Sequence, residues 1–208
     1  ILGCFNQFRR DKWTRHELSE LAYQAERHYF GVAGGWQDQY ATVFGGFNFI
    51  EFEMEQNIVH PLRIPQDILS ELEESLILCN TGIMHNSGHI HRDQLAQLKN
   101  LDTKAAIDTN VKLSYENRNN LLRGDLFEFG KGLDKAWNIK KTLSPLITNE
   151  YIDSVYDGAI KNGALGGKLL GAGSGGFILF YVKQNKRRSF LKAFSKYKCV
   201  DLKKESHG

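Results

Sequence analysis

The stretch ALGGKLLGAGSGGFILFYV, residues 164–182, constrains the fold of this chain more than any other stretch. Two apolar segments of strand length, residues 165–170 and 177–182, flank a glycine-rich loop. Because short apolar runs bounded by glycine are typical of buried strands, we predict that these segments pair antiparallel around the loop. The loop residues are Gly171, Ala172, Gly173, Ser174, Gly175 and Gly176.

The glycine loop has two interpretations. Bare backbone N–H groups in such a loop can surround a phosphate, with Lys168 as a candidate phosphate contact. Alternatively, the loop is an ordinary tight hairpin and Lys168 is a surface charge. The loop is not a P-loop, because GxxxxGK[ST] is absent, and it does not open a helix as a dinucleotide-binding fingerprint does. The sequence alone leaves both interpretations open.

Helical and strand patterns surround this hairpin on both sides. Thr14 and Glu17 form a capping-box pattern in front of a helix at residues 15–30, and Pro65 opens another helix. A two-layer α+β arrangement follows, with a domain boundary between residues 60 and 68. The other predicted elements are strands at GFNFIEF, NIVHPLRI, SLILCN and CVDL, and helices from Ser87 to 99, over 103–143 with a break near Gly124, from Thr148 to Asn162 and over 186–197.

Composition argues against two classes of binding partner, nucleic acids and membranes. A net charge of +3 over 208 residues is too weak to indicate nucleic-acid binding, and no apolar run approaches the roughly 20 residues that span a bilayer. Cys4, Cys79 and Cys199 are odd in number and far apart. We therefore predict reduced thiols, a cytoplasmic location, and neither a nucleic-acid nor a membrane partner.

The first residues, ILGCFNQFRRDKW, contain no initiating Met and run directly into charged residues without a cleavage site. This pattern is not that of a signal peptide. We expect the chain to begin inside a helix and to be a fragment of a longer protein.

A second unusual stretch is GGWQDQYATVFGGFNF, residues 34–49, with Asp38 near the start of a short predicted helix. An aspartate there is often only a favourable partner of the helix dipole. The other interpretation is a carboxylate at a reaction centre, with Gly34 and Gly35 allowing a close approach to the backbone. Spacing alone does not distinguish them.

Two further signals have ordinary explanations. His85, His89 and His91 fit no metal-ligand spacing, since Gly88 interrupts a helix between the first two; we predict no metal site there. The segment KRRSFLKAFSKYK could suggest a nucleic-acid or membrane surface. Its apolar positions form a core-type stripe instead, which favours a solvated helix packed on the sheet.

Taken together, the motifs resemble those of the GHMP small-molecule kinases, and in particular the bacterial D-glycero-D-manno-heptose 7-phosphate kinases. GVAGGWQDQYATVFGGFNFIEF resembles their signature, and ALGGKLLGAGSGGFILFYV resembles their C-terminal glycine motif. LILCNTG, LLRGDLFEFGKGLDKAWNIKKTLSP and IDSVYDGAIKNGALGGK follow the family in order. The resemblance implies a partial ribosomal-S5-like lobe at residues 1–62, and a ferredoxin-like α+β domain with extra helices at 63–208.

The resemblance also implies a function: transfer of the ATP γ-phosphate to O1 of heptose 7-phosphate, with ATP and Mg²⁺ as cofactors and sugar phosphate as partner. Asp38 stands where the family has its catalytic carboxylate. The implied substrate-binding residues are Gly34, Gly35, Trp36, Gln39, His85 and Ser87. Lys168 and the loop Gly171, Ala172, Gly173, Ser174, Gly175 and Gly176 are implied to support the nucleotide phosphates.

The sequence departs from the family twice. A GLGSSSA-type phosphate loop is absent, so we expect the main Mg²⁺ ligands upstream of Ile1 and little activity from these 208 residues alone. His85 stands where the family has arginine, and imidazole binds phosphate more weakly than a guanidinium fork. Two alternatives therefore stay open: a non-catalytic binding or structural module, and a kinase for another sugar such as fucose or a galactose-like hexose.

Overall fold

The computed structural model describes residues 1–83 and 87–205. The chain divides into two compact units, Ile1–Arg63 and Ile64–Lys203. Lys204 and Glu205 belong to the first unit, where the Gly46 N–H donates to the Glu205 carbonyl at 2.7 Å. The assignment of residues 1–62 and 63–208 to two family domains stays a prediction.

The first unit contains helices followed by a β-hairpin. Thr14 caps α2 through the Glu17 N–H, and the Glu17 side chain accepts from the Thr14 N–H, so the capping box is confirmed. Pro61 ends the second strand. The elements are α1 (Leu2–Arg9), α2 (Arg15–Gln24), a π-helical turn (Ala25–Tyr29), α3 (Gln37–Phe44), β1 (Asn48–Phe52) and β2 (Asn57–Pro61).

The second unit contains a four-stranded antiparallel sheet with strand order β4-β5-β3-β6. Its strands and helices follow one another in the βαββαβ order of ferredoxin-like domains, with several helices in the first crossover. This confirms the α+β prediction. The elements are α4 (Gln66–Ser75), β3 (Leu76–Asn80), α5 (Ser87–Gln97), α6 (Leu101–Arg123), α7 (Leu126–Thr142), α8 (Glu150–Lys161), β4 (Ala164–Leu169), β5 (Phe177–Val182), α9 (Gln184–Ala193) and β6 (Cys199–Asp201).

The core of the second unit lies between this sheet and helices α7, α8 and α9. Trp137, Phe180 and Phe190 are fully buried in it. Helix α8 buries one apolar face, which consists of Ile152, Val155, Tyr156 and Ala159. The predicted stripe of the basic helix is confirmed: Phe190 and Phe194 are buried, and Leu191 and Tyr197 pack against the same cluster.

The predicted bounds of two helices were misplaced. Helix α8 begins at Glu150, because the Asn149 side chain caps it through the Ile152 N–H, while the Thr148 hydroxyl binds the Asp153 carboxylate instead. Helix α9 covers Gln184–Ala193 instead of 186–197, and the residues after Phe194 form a turn.

The prediction of three reduced thiols was wrong for this structure. Cys79 on β3 and Cys199 on β6 form a disulfide, and Cys4 is free and exposed. The two cysteines are 120 residues apart in sequence, which concealed the pairing, but they are directly opposite in the β3–β6 register. Strand topology therefore brings together two cysteines that spacing had separated.

The disulfide predicts a stability that depends on redox state. Protein purified without reductant should present only Cys4 to a thiol reagent, and all three cysteines after unfolding in reductant. Cross-linking residues this far apart restricts the unfolded chain, so reduction should lower the free energy of unfolding by about 2–5 kcal/mol. Urea unfolding with and without reductant measures this, with Cys4→Ser as the matched control. Equal free energies of unfolding with and without reductant would contradict the disulfide bond.

Candidate active site

The GGWQDQ motif opens helix α3 and leaves Asp38 on the surface. Trp36 is the N-cap residue and makes no side-chain capping bond, and Asp38 lies in the first turn. Asp38 is exposed, and its carboxylate makes no hydrogen bond or ion pair within residues 1–83 and 87–205. Asp38 is therefore not a capping residue, although it does lie at the positive end of the helix dipole. Its lone pairs face solvent.

Helix α2 and the π-helical turn hold the loop before Asp38. The Tyr23 and Trp36 rings stack with centroids 4.3 Å apart. The Arg27 guanidinium donates to the carbonyls of Val32 and Gly35. A Cβ on Gly34 would lie 2.8 Å from Arg27 Nη2, so a side chain at residue 34 would displace the guanidinium from this position.

Two glutamates of the same helical segment bind the side chains on either side of Asp38. Glu20 accepts hydrogen bonds from Trp36 Nε1 at 3.3 Å and from Tyr40 Oη at 2.6 Å. Glu26 accepts from Gln39 Nε2 at 2.7 Å. Burial, and after it the hydrogen bond to Glu20, raise the pKa of Tyr40 to about 12. The phenol therefore stays protonated and keeps donating at neutral pH.

The structure places the predicted substrate-binding residues of this motif in different environments. Gln39 is 5% exposed, and its amide N–H is used by Glu26. Trp36 is half-buried, and Gly35 is exposed. His85 lies outside the described residues, as does the side chain of Ser87. Their roles stay predictions.

In the second unit, the predicted hairpin is confirmed: β4 and β5 pair antiparallel, and residues 170–176 join them. The loop is anchored through its backbone. The Ser174 N–H donates to the Ile147 carbonyl at 2.7 Å, and the Gly176 N–H donates to the Ile83 carbonyl at 3.0 Å. The Gly176 carbonyl accepts from the backbone and hydroxyl of Thr81.

Part of the loop backbone remains available to a ligand. In the described part of the chain, the N–H groups of Gly171, Ala172, Gly173 and Gly175 have no backbone acceptor. Gly171, Gly173 and Ser174 have positive φ angles of 68°, 136° and 64°. Successive N–H groups in such conformations form anion-binding concavities. The loop can therefore join two strands as a hairpin and also bind a phosphate through its N–H groups.

Two lysines lie beside this loop. Lys140 on α7 donates to the carbonyls of Leu169 at 3.1 Å and Gly171 at 2.5 Å. Burial, and then the charge of Lys168, lower the pKa of Lys140 to about 8. Burial also lowers the pKa of Lys168. No carboxylate forms an ion pair with either lysine among the described residues, so two desolvated cations lie next to a loop of free N–H groups.

Residues 1–83 and 87–205 contain no cluster of three or more metal-ligating His, Cys, Asp or Glu side chains. Within the same ranges, no helix has the length and apolar character needed to cross a membrane.

Comparison with known protein families identifies the family of this chain. Residues 1–46 match the GHMP kinases N terminal domain, and residues 118–198 match GHMP kinases C terminal. The chain belongs to the GHMP kinases. Both matched ranges contain site elements described above: the motif with Asp38 lies in the first, and Lys140 and the glycine loop lie in the second.

Individual GHMP kinases are similar to this chain over most of its length. A D-glycero-alpha-D-manno-heptose 7-phosphate kinase from Campylobacter jejuni is 38% identical over 94% of the chain. A bifunctional fucokinase/GDP-fucose pyrophosphorylase from Arabidopsis thaliana is 30% identical over 78% of it. The crystal structure of a D-glycero-D-manno-heptose 1-phosphate kinase from Bacteroides thetaiotaomicron superposes with a TM-score of 0.74 over 98% of the chain, at 28% identity.

This chain is shorter than each of these GHMP kinases. It spans 58% of the Campylobacter protein, 16% of the Arabidopsis protein and 57% of the chain in the crystal structure.

Sequence reasoning missed four residues: Glu20, Glu26 and Arg27, which hold the motif around Asp38, and Lys140, which holds the glycine loop. A signal for two of them was present, because Glu20, Tyr23 and Arg27 recur at helical spacing on one face of a predicted amphipathic helix. No sequence pattern indicated that Lys140 would reach the carbonyls of a loop about thirty residues later.

Lys140 predicts a stability that changes with pH. Its pKa is about 8 in the folded protein and ordinarily 10.5. Above about pH 10.5 the Lys140 amine is neutral in both the folded and the unfolded protein, so its burial does not lower the free energy of unfolding. As pH falls, the cost of burying the charged amine grows, and it is complete below about pH 8. Its full size is roughly 3 kcal/mol.

The measurement is urea unfolding of wild type and Lys140→Met between pH 7 and 10. We expect the stability of the wild type relative to the variant to rise across this window. Lys135→Met, at an exposed lysine of the same helix, is the control and should show no such trend. A pH-independent difference for Lys140→Met would contradict the prediction.

Proposed function

We propose that this chain is the Asp38-containing and C-terminal part of an ATP-dependent sugar kinase. The complete kinase phosphorylates the anomeric hydroxyl of D-glycero-D-manno-heptose 7-phosphate to the 1,7-bisphosphate, a step in nucleotide-activated heptose biosynthesis. The observation that carries the proposal is a solvent-facing carboxylate, Asp38, on a fixed helical turn inside the matched GHMP region. The similarity to the Campylobacter heptose 7-phosphate kinase supports the choice of sugar.

In this proposal Asp38 orients the sugar hydroxyl and accepts its proton late. A carboxylate is a much weaker base than a sugar alkoxide, so it does not remove the proton in advance. The loose transition state of phosphoryl transfer does not require it to. The exposed position of Asp38 suits this role, since no described side chain competes for its oxygens. Gly34 and Gly35 would let the sugar approach the backbone, and Trp36 would form an apolar wall.

The glycine loop and its lysines would act on phosphate. The free N–H groups of Gly171, Ala172, Gly173 and Gly175 and the ammonium of Lys168 are the donors available to an anion. Lys140 would hold the start of the loop in place through the Leu169 and Gly171 carbonyls. Buried cations with lowered pKa values gain free energy when an anion neutralises them.

GHMP kinases use ATP and Mg²⁺. Bound Mg²⁺ neutralises charge on the transferring phosphates, and it needs only one or two protein carboxylates when phosphates supply the other ligands. Glu26, whose side chain is 43% exposed, is a carboxylate near the motif that fits this limited share.

We also propose a cytoplasmic location. The 208 residues contain no GLGSSSA-type sequence, and we expect little or no kinase activity from them alone. The assays below therefore use protein expressed from the complete reading frame.

Asp38→Asn tests the catalytic role. Asparagine keeps the shape and part of the hydrogen bonding but cannot accept the proton, so kcat should fall by about 10²–10⁴-fold. KM for ATP and sugar should stay near wild type, and so should Tm, because Asp38 makes no capping bond. Glu55→Gln, at an exposed carboxylate of the same unit, is the control. A fully active Asp38→Asn enzyme would remove Asp38 from the reaction.

A panel of acceptors tests the sugar. ATP consumption is measured with heptose 7-phosphate, unphosphorylated heptose, fucose and galactose, and we expect kcat/KM to be highest for heptose 7-phosphate by about tenfold or more. Preference for fucose would favour the alternative suggested by the Arabidopsis relative. Calorimetric binding of sugar phosphate without any turnover would favour a non-catalytic binding module.

A further inference from the structure

We propose that Glu20 is the positioning residue that fixes the first turn of α3, and with it the placement of Asp38. This inference rests on the proposed function for the role of Asp38. It is carried by one half-buried carboxylate that binds three donors from three separate parts of the first unit.

Two of the three donors, Trp36 and Tyr40, border Asp38 in sequence, and the third, Asn57, lies on β2. Trp36 Nε1 donates to Glu20 Oε2 at 3.3 Å, two residues before Asp38. Tyr40 Oη donates to Glu20 Oε1 at 2.6 Å, two residues after Asp38. Asn57 Nδ2 on β2 donates to the same oxygen at 2.9 Å, and also contacts Tyr40 Oη at 3.2 Å. Glu20 thus connects α2, both sides of the first turn of α3, and the hairpin.

A carboxylate is the group these neighbours require. The indole N–H is a donor only, and an ionised carboxylate accepts on both oxygens. A glutamine at residue 20 would place an amide N–H against at least one of these donors. Tyr40 and Asn57 share one oxygen of Glu20, and Tyr40 is 2% exposed, so the glutamine carbonyl would stay with these two donors and its amide N–H would face Trp36 Nε1. Leaving a buried donor unpaired is unfavourable, and the turn would shift to relieve it.

Asp38 itself cannot correct such a shift. Its carboxylate has no partner among residues 1–83 and 87–205, so its position follows from the backbone of α3 alone. That backbone is set by the flanking side chains of Trp36 and Tyr40. A displacement of about 1 Å at a reacting group can reduce the rate on the order of 100-fold.

Glu20→Gln, made in protein from the complete reading frame, tests the proposal. We expect kcat to fall by about 10–100-fold, with KM for ATP and sugar within about twofold of wild type. Tyr40→Phe removes a single donor and should give a smaller fall, which guards against a Glu20 variant that fails to fold. Glu17→Gln is the matched control: it is on the same helix and weakens only the capping box, so it should lower Tm and leave kcat unchanged.

Two readouts do not depend on activity. Hydrogen exchange at the Tyr40 amide, which donates to the Trp36 carbonyl at 3.2 Å, should be faster in Glu20→Gln and unchanged in Glu17→Gln. The indole N–H resonance of Trp36, identified with Trp36→Phe, should shift only in the Glu20 variant. A wild type inactive on every sugar would refute the proposed function, while these two readouts would still decide the role of Glu20.

Two results would overturn the positioning role. The first is a Glu20→Gln protein whose Tyr40 exchange and Trp36 resonance match wild type. The second is an active wild type whose Glu20→Gln variant shows both structural changes but keeps its kcat.

Discussion

The close contact between the backbones of β4 and α7 is the constraint on which the second unit depends. A Cβ on Gly166 would lie 2.2 Å from the Gly130 carbonyl oxygen, a separation that real Cβ atoms do not show, so a side chain there would push the helix off the sheet. Because the helix lies this close, Tyr156 Oη can donate to Asp134 at 2.7 Å and accept from the Gly167 N–H at 3.2 Å. The same closeness brings the Lys140 ammonium to the start of the glycine loop. The absence of a side chain at Gly166 thus allows the approach of α7 that brings Lys140 to the loop.

The first unit is held together by a different kind of interaction. Its helices are held by polar side chains, and the central acceptors are the carboxylates of Glu20 and Glu26. Backbone packing of the kind seen at Gly166 tolerates no added atom, whereas a hydrogen-bond network fails when one acceptor is lost. Substitutions in the two units should therefore differ in kind. Added volume is the damaging change at Gly166, and removed charge is the damaging change at Glu20.

The sequence predicted most of the fold because its signals were local. The capping box of Thr14 and Glu17, the apolar face of α8 and the strands around the glycine loop all depend on residues close in sequence, and all are present. The disulfide between Cys79 and Cys199 was missed because it depends on the register of β3 with β6 across 120 residues. Of the site, the motif around Asp38 was recognisable. The bonds from Glu20 and Lys140 were not, since they join side chains to groups placed only by tertiary packing.

The environment of Asp38 differs from that of its polar neighbours, and this difference supports the proposed catalytic role of Asp38. Trp36, Gln39 and Tyr40 each donate to a glutamate of the helical segment before them. Asp38 lies among them, exposed and without a described partner. If Asp38 were there only for stability, a partner or a capping bond would be expected, since exposed unpaired carboxylates add little. A turn fixed by three side chains while a fourth is left open to solvent is the arrangement that a reacting carboxylate requires, because its position must be set by groups other than itself.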